Sequence, residues 1–247
     1  MAGRRSPSLL LSFVVLALGA IGAGLAVGHG LIQSKRADRF VTVKGVAERD
    51  VEADLAFWSI TLSVPSDGIG AAQEEIDRSV DEVLAFLAGF GLGADAVTRQ
   101  GTQVTDRATQ YNGRTDPGVL RFVVSHTLLV RSTDVGAIHT ASQAVGRLIQ
   151  SGIPLSTTSG YGYSRPTYSF TGLNEVKPEM IAEATANARL AAQRFADDSR
   201  SRLDGIRRAN QGVFVILARD RAPGVDEAAQ RFKTVRVVST VEYYLRD

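Results

Sequence analysis

The longest apolar stretch of the chain lies near its N-terminus. No Asp, Glu, Lys or Arg occurs from Ser6 to Ser34, and the apolar centre runs from Leu9 to Ile32. A helix of that length is about 36 Å long, whereas the hydrocarbon core of a bilayer is about 30 Å thick. The pattern therefore predicts a membrane-inserting segment within residues 1–34, followed by a short charged linker over residues 35–39.

This segment has two possible fates. Arg4 and Arg5 precede it, and Gly24-Leu25-Ala26 is an acceptable cleavage site for a signal peptide. However, the apolar run is longer than the usual signal-peptide core and continues to Ile32. We therefore favour an uncleaved anchor and leave a cleaved signal peptide open. Basic residues flank both ends, so their count decides little about orientation, since long domains cross the membrane largely regardless of such charges.

Residues 40–247 alternate between strand-like and helix-like patterns, which predicts one folded domain. The runs 40–48 and 51–64 alternate with period two and are separated by the polar pair Arg49-Asp50, which predicts a hairpin. The apolar positions change face near Phe57-Trp58, which predicts a bulge there.

Three helices are predicted from apolar spacings of three and four residues. The first spans about 69–90, and the second about 134–149, with Ser132 or Thr133 as its N-terminal cap. The third is alanine-rich and spans about 174–202. Its predicted buried face comprises Met180, Ile181, Ala184, Ala188, Ala191, Ala192 and Phe195.

The remaining strands complete a mixed order. They are predicted at about 97–111, 120–131, 155–170, 213–218 and 233–245. The order ββαββαβαββ, with helices between groups of strands, predicts an α+β domain of mainly antiparallel sheet with helices packed on one face.

Composition narrows the possible partners. Apolar residues make up 44% of the chain and charged residues 22%, as in ordinary globular proteins. From Lys35 onward, 26 basic and 26 acidic residues balance, so no positive excess points to nucleic acid. The absence of cysteine excludes disulfides, thiolate metal sites and cysteine nucleophiles.

Catalytic motifs are missing from the sequence. Phosphate-binding loops, zinc-protease helices and serine-hydrolase elbows do not occur. Of the three histidines, His29 lies in the apolar leader, His139 in a helix, and His126 on the apolar face of a strand. A general base at His126 is one interpretation, but we favour a satisfied, partly buried histidine, because neighbouring residues supply no serine or carboxylate partner.

Three further groups of residues have a functional and a structural interpretation. We expect no cofactor or metal and favour the structural interpretation of each. Arg49, Asp50, Glu52 and Asp54 suit either an oxygen-ligand metal site or a solvated hairpin edge. Gly160-Tyr161-Gly162-Tyr163 suits an aromatic ligand site or strand packing, and Arg207-Arg208 suits an anion site or a favourable charge at a helix C-terminus.

Several segments together resemble one known family. They are Val43-Lys44-Gly45, Ala53-Asp54-Leu55-Ala56 with Trp58, Phe170-Thr171-Gly172-Leu173-Asn174 with the following Lys177-Pro178-Glu179-Met180-Ile181 and Ala184, then 206–214 and 233–245. This set resembles the SIMPL-domain family of bacterial envelope proteins, which includes periplasmic immunogenic proteins. The resemblance covers about residues 39–247.

The resemblance implies an exported α+β protein, with some family members forming ring-like or channel-like homo-oligomers. It also implies a suggested link to oxidative-stress tolerance, but no catalytic residues. We therefore expect a non-enzymatic homo-oligomer on a single-pass anchor in the bacterial inner membrane, with its C-terminal domain in the periplasm. The alternatives are a binding module for a small envelope ligand near Tyr161 and Tyr163, and a hydrolase that uses His126.

Overall fold

The structure is a computed structural model that describes residues 16–28, 39–110, 119–156 and 165–246. It is an α+β protein with antiparallel sheets, as the sequence predicts. Its contacts group into two compact units. Unit 1 takes residues 1–47, 179–214 and 237–247, and unit 2 takes residues 48–178 and 215–236. The single domain expected over residues 40–247 stays a prediction.

Eight strands and six helices make up the described parts of the chain. The strands are β1 Phe40–Glu52, β2 Leu55–Ser66, β3 Val97–Asp106, β4 Phe122–Ser132, β5 Thr167–Ser169, β6 Arg202–Gln211, β7 Val215–Ala218 and β8 Phe232–Arg246. The helices are α1 (16–28), α2 Ile69–Ala88, α3 Arg107–Gln110, α4 Val135–Gln143, α5 Gly146–Gln150 and α6 Leu173–Asp198.

Unit 2 is built on a sheet in the order β3-β4-β2-β5, with α2 and α4 packed against it. Alternate residues of β2 are buried, from Ala56 to Val64, because successive side chains of a strand point to opposite faces. The first predicted helix, at about 69–90, is α2, and it supplies Ile76, Val83 and Leu87 to the same core. Large side chains, with Trp58 the largest of them, fill this core.

Unit 1 packs α6 against β1 and β8. The helix buries Ala184, Ala188, Ala192 and Ala196 completely. Gly45 of β1 lies so close to the helix that a Cβ built on it would be 1.8 Å from the carbonyl oxygen of Ala184 and 2.5 Å from the nitrogen of Ala188. The small residues therefore let the strand and helix backbones touch.

Strand β8 is the centre of the second sheet, and β1 lies along one side of it. In unit 1, the Leu245 N–H donates to the Arg39 carbonyl, and in unit 2, the Ala53 N–H donates to the Arg231 carbonyl. These bonds join opposite ends of the two strands, so β1 and β8 run antiparallel. On the other side, β6 pairs with the C-terminal part of β8 and β7 with its N-terminal part.

The predicted hairpin of β1 and β2 is wrong. Strand β1 continues through Arg49-Asp50 to Glu52, and the chain turns only at Ala53-Asp54. Strand β1 then pairs with β8, whereas β2 pairs with β4 and β5. The predicted bulge at Phe57-Trp58 is also wrong, because β2 pairs with β4 in one unbroken register. The change of apolar face instead marks the break between the two strands.

Helix α6 is shorter than predicted, and a strand follows it. The helix ends at Asp198, and Arg200 adopts a left-handed backbone, with φ of 55°, that turns the chain. Glycine is the usual residue at this place, so the sequence did not mark the end. Strand β6, Arg202–Gln211, was not predicted. On the helix itself, the predicted buried face is wrong at two positions: Ala191 is exposed, and Phe195 is 52% exposed while Ala196 is buried in its place. Ile181 is only half-buried.

Helix α4 differs from the prediction at its cap. The cap is Asp134, whose Oδ1 accepts from the Ala137 N–H at 2.8 Å. Ser132, predicted as a cap, accepts from the Asp134 N–H instead.

The apolar leader is described only over residues 16–28, which are helical. The predicted segment runs from Leu9 to Ile32, and its other residues, 9–15 and 29–32, lie outside the described residues. Within the described parts of the chain, no helix is both long and apolar enough to cross a membrane.

Candidate functional site

The three carboxylates that crowd the end of β1 have separate partners in unit 2. Asp50 accepts from the Thr234 hydroxyl at 2.6 Å, and Glu52 lies 2.9 Å from Nε of Arg231. Asp54 accepts from backbone amides that precede α6. Among the described residues no three groups converge as metal ligands. The three carboxylates therefore bind a hydroxyl, a guanidinium group and two backbone amides, respectively.

Asp54 holds the start of α6. Its carboxylate accepts from the Thr171 N–H at 2.8 and 3.0 Å and from the Gly172 N–H at 2.8 Å. Gly172 lies directly before the first helical residue, Leu173, and helix N-terminal amides have no partner within the helix. A Cβ at Gly172 would lie 3.3 Å from Oδ2 of Asp54, so a glycine lets the carboxylate approach.

A charged groove lies on the open face of the β1–β8–β7 sheet in unit 2. We call it the charged groove, and its lining comprises Glu48, Asp50, Arg219, Arg221 and Thr234. Its volume is about 640 Å³, within the size range of small-molecule sites. The carboxylates come from β1, the hydroxyl from β8, and the guanidinium groups from the loop after β7. The negative and the positive groups of the groove therefore come from opposite sides of β8.

His126 lies on the α2-facing side of β4, as predicted, alternating with the buried Val124 and Leu128. Its Nδ1 is 3.0 Å from the hydroxyl of Thr102 on β3. Burial lowers the pKa of His126, the charge of Arg99 lowers it further, and Asp77 opposes this. The ring is therefore biased to the neutral form, and its hydroxyl partner is one that local sequence could not show.

His139 is more constrained than a surface residue. Its Nδ1 lies 3.0 Å from the hydroxyl of Tyr168, which is only 6% exposed. Burial raises the pKa of Tyr168, opposed by the charge of Arg231 and a hydrogen bond with Ser142. The pair links α4 to β5 and serves packing. The remaining histidine, His29, lies outside the described residues.

Lys233 is a buried charged residue that the sequence did not single out. Its side chain is fully buried in unit 2. The ammonium donates to the carboxylate and, at 2.9 Å, to the carbonyl oxygen of Glu227. Buried charges are stable only when paired in this way. The alternating pattern of β8 places residue 233 on the buried face, but nothing nearby in sequence reveals its partner.

The predicted site at Arg207-Arg208 is misplaced. Both residues lie inside strand β6 rather than at the end of a helix. The guanidinium of Arg207 lies 3.9 Å from the ring centre of Phe40 and 3.6 Å from Glu242. The helix-terminus interpretation is therefore wrong for both arginines. Tyr161 and Tyr163 lie outside the described residues, so the ligand site predicted there stays a prediction.

Comparison with known proteins assigns the chain to a family. The model of the SIMPL family, described as a protein of unknown function (DUF541), matches residues 41–243. The chain belongs to the SIMPL family. A search of the curated proteins found no match.

The SIMPL resemblance has a structural basis in close contacts. Gly45 lets β1 touch α6, and Asp54 joins its segment to Thr171-Gly172. In the segment 206–214, the Gly212 N–H donates to the Val238 carbonyl at 2.9 Å, and a Cβ there would lie 2.7 Å from that oxygen. The segments that carry the resemblance therefore build the fold, and they assign no activity.

Proposed function

We propose that this SIMPL protein is a non-enzymatic, membrane-anchored protein of the bacterial periplasm that self-associates through strand β3. A role in envelope or oxidative-stress tolerance follows from the family resemblance alone. The observation that carries the self-association is the exposed edge of β3, which is regular and uncharged from Thr102 to Thr105.

The anchor is supported by the sequence and by the exposure of the described leader residues. Leu9 to Ile32 contains no charged residue. Within residues 16–28, large apolar side chains are 60% or more exposed: Leu16, Leu18, Ile21, Leu25 and Val27. Exposed apolar surface on a helix marks a membrane or protein contact. We assign it to the bilayer because the apolar residues surround the helix rather than form one stripe.

The self-association is supported by the chemistry of β3. It is an outermost strand of its sheet, and residues 98–104 are all exposed. From Thr102 to Thr105 it carries no charge, and its register with β4 is regular. Among the described residues no strand pairs with its outer side. Free edges of this kind accept another strand through backbone hydrogen bonds.

Strand β6 is also a sheet edge, but it is protected. It carries Arg202, Asp204, Arg207 and Arg208, and its register with β8 shifts at two places. Charges and bulges on an edge oppose strand addition. The contrast favours β3 as the contact and a second copy of the same strand as its partner, because antiparallel pairing of two copies closes a two-fold dimer.

The test is the mass of the full chain in detergent, measured by light scattering coupled to size exclusion. Val104→Lys places a charge at the β3 edge, and Ile206→Lys is the matched control at β6. The two residues are 46% and 48% exposed. We expect a dimer or larger assembly for the native chain, a monomer for Val104→Lys and no change for Ile206→Lys. A native monomer at high concentration, or dissociation by the β6 variant alone, would reject the proposal.

The anchor is tested separately. Intact mass of the mature protein from membrane and soluble fractions distinguishes a retained leader from a cleaved one. Protease added to spheroplasts should digest residues 40–247. Protection of the domain in intact spheroplasts, with digestion only after lysis, would place it on the cytoplasmic side.

A hydrolase that uses His126 stays a second candidate. The observation in its favour is the Thr102 hydroxyl at 3.0 Å from the ring, beside the irregular register of β3 between Arg99 and Thr102, since such bulges are common near active sites. A screen with ester, amide and phosphate substrates should show activity that His126→Ala abolishes. Activity that survives this change would reject the role.

A further inference from the structure

We propose that the charged groove binds a small zwitterion, a molecule that carries one ammonium and one carboxylate group. This inference is independent of the anchor and of self-association through β3. It rests on the placement of the charged groups and on which of them keep free bonding capacity.

The carboxylate side of the groove can accept an ammonium group. The Thr234 hydroxyl occupies Oδ1 of Asp50, and no described residue donates to its Oδ2. Glu48 lies 3.3 Å from Nε of Arg236, but this N–H does not point at the oxygen, so the contact is an ion pair without a hydrogen bond. Both carboxylates therefore retain acceptor capacity.

The guanidinium side can accept a carboxylate. Asp220 binds the guanidinium of Arg219 at 3.0 and 3.3 Å, and the Phe232 ring lies 4.4 Å from it, so the group is held in place. Arg221 forms no ion pair or hydrogen bond with the described residues. A planar guanidinium with free N–H groups binds a carboxylate through two parallel hydrogen bonds.

The balance of charge selects the class of ligand. Counted with their ion-pair partners, the carboxylates of Glu48, Asp50 and Asp220 balance the guanidinium groups of Arg219, Arg221 and Arg236, so the groove and its surroundings are neutral overall. The hydrogen bond with Asp220 raises the pKa of Arg219, burial opposes this rise, and the charges of Asp220 and then of Asp50 add to it. A simple anion meets repulsion from β1, and a simple cation meets repulsion from the loop. A dipolar molecule satisfies both sides.

The loop that carries the arginines is fixed independently of any ligand. The Gln230 amide donates to the Asp220 carbonyl at 2.6 Å and accepts from the Asp220 N–H at 3.1 Å. Buried Lys233 binds Glu227 in the same loop. The groove is therefore preorganised, which lowers the entropy that binding costs.

The test is a titration of the full chain in detergent, followed by calorimetry and by NMR of labelled arginine side chains. The probes are glycine, 4-aminobutyrate, 6-aminohexanoate and triglycine, with butylamine and butyrate as single-charge controls. We expect one zwitterion length to bind with a Kd on the order of 1 mM, as suits an open site, and to weaken with salt. Preference for triglycine over 6-aminohexanoate would identify a peptide terminus as the source rather than a free amino acid.

Variants locate the site. Arg221→Ala and Asp50→Asn should each weaken binding at least about fivefold, since each removes one of two charge contacts. Neither should change the circular dichroism spectrum, because Arg221 has no described partner and Asn keeps an acceptor for Thr234. Arg147→Ala, an exposed arginine of the same unit outside the groove, is the control.

Three outcomes would overturn the inference. They are equal binding of butylamine or butyrate, no binding of any zwitterion at 20 mM, and binding that the groove variants leave unchanged.

Discussion

Both compact units bury large side chains, Tyr243 in unit 1 among them, but they differ in how closely a helix approaches the sheet. In unit 1, fully buried alanines of α6 lie against β1 at Gly45, and the backbones touch. In unit 2, Trp58, Leu62, Ile76 and other large side chains fill the space between sheet and helices. Unit 1 should therefore tolerate no added volume, whereas unit 2 should tolerate no lost volume.

The largest expected effect is the loss of volume in unit 2. Trp58→Ala should lower the free energy of unfolding by about 3–5 kcal/mol, because it leaves a cavity among buried side chains. Urea unfolding followed by circular dichroism measures it. Phe57→Ala on the opposite face of the same strand is the control and should cost clearly less. Equal costs would show that the filled core does not dominate unit 2.

The second test adds volume to unit 1. Gly45→Ala should cost about 3 kcal/mol, because the new Cβ would meet backbone atoms of α6 that cannot rotate away. Gly205→Ala on β6 is the control, since no atom lies within 4 Å of its Cβ position.

The single tryptophan makes this test specific to a unit. Its fluorescence reports unit 2, and circular dichroism reports both units. If Gly45→Ala shifts the unfolding curve followed by circular dichroism but not the one followed by fluorescence, the two units unfold separately. A cost below about 1 kcal/mol would show that strand and helix separate easily, which contradicts close packing as the basis of unit 1.

A smaller effect is expected at Asp54, where polar contacts hold the chain. Asp54→Ala should cost about 1–2 kcal/mol, comparable to the loss of a helix cap, because the Thr171 and Gly172 amides just before α6 lose their acceptor. Asp54→Asn keeps one acceptor oxygen and should cost less. Thermal unfolding of the three proteins measures the difference, and an Asn variant as damaged as the Ala variant would indicate that charge rather than hydrogen bonding is decisive.

The smallest expected effect is a pH dependence from His126 in unit 2. Its pKa is lowered in the folded state, chiefly by burial, so the folded state binds the proton less well than the unfolded state. The contribution of neutral His126 to the free energy of unfolding should therefore be fully present above pH 6.5, the unfolded pKa, and be lost as the pH falls below it. Because the ring is largely solvated, the loss is about 0.5 kcal/mol or less.

His126→Gln should remove this part of the pH dependence. Urea unfolding at pH 7.5 and 5.5 compares the two proteins. If the native chain is more stable at pH 5.5 than at pH 7.5, and His126→Gln removes that gain, the predicted direction of the pKa shift of His126 is wrong.

Local sequence patterns predicted those helices and strands that bury one face made of regularly spaced apolar residues. The buried positions of α2 and the alternation of β4 followed from periodicity because each side chain meets the core directly. Strand β6 escaped prediction because eight of its ten residues are exposed and four are charged, so its sequence lacks an apolar face. It is a strand because β8 offers backbone hydrogen bonds from residues 28 to 44 positions away in the chain.

The candidate sites were less predictable for the same reason. Sequence grouped Asp50, Glu52 and Asp54 by proximity, but each has a different distant partner. The charged groove joins β1 to a loop about 170 residues later, and no local pattern contains both.

The sequence by itself determined the α+β class, the existence of the long helices and the membership of the SIMPL family, because these depend on periodicity and on residues in short segments. Only the tertiary structure decided that β1 pairs with β8 rather than with β2, that Asp54 binds the Thr171 and Gly172 amides before α6, and that Lys233 is buried against Glu227. Pairing of strands and charges depends on which distant segments meet. That choice is made by packing of the whole chain, and adjacent residues do not encode it.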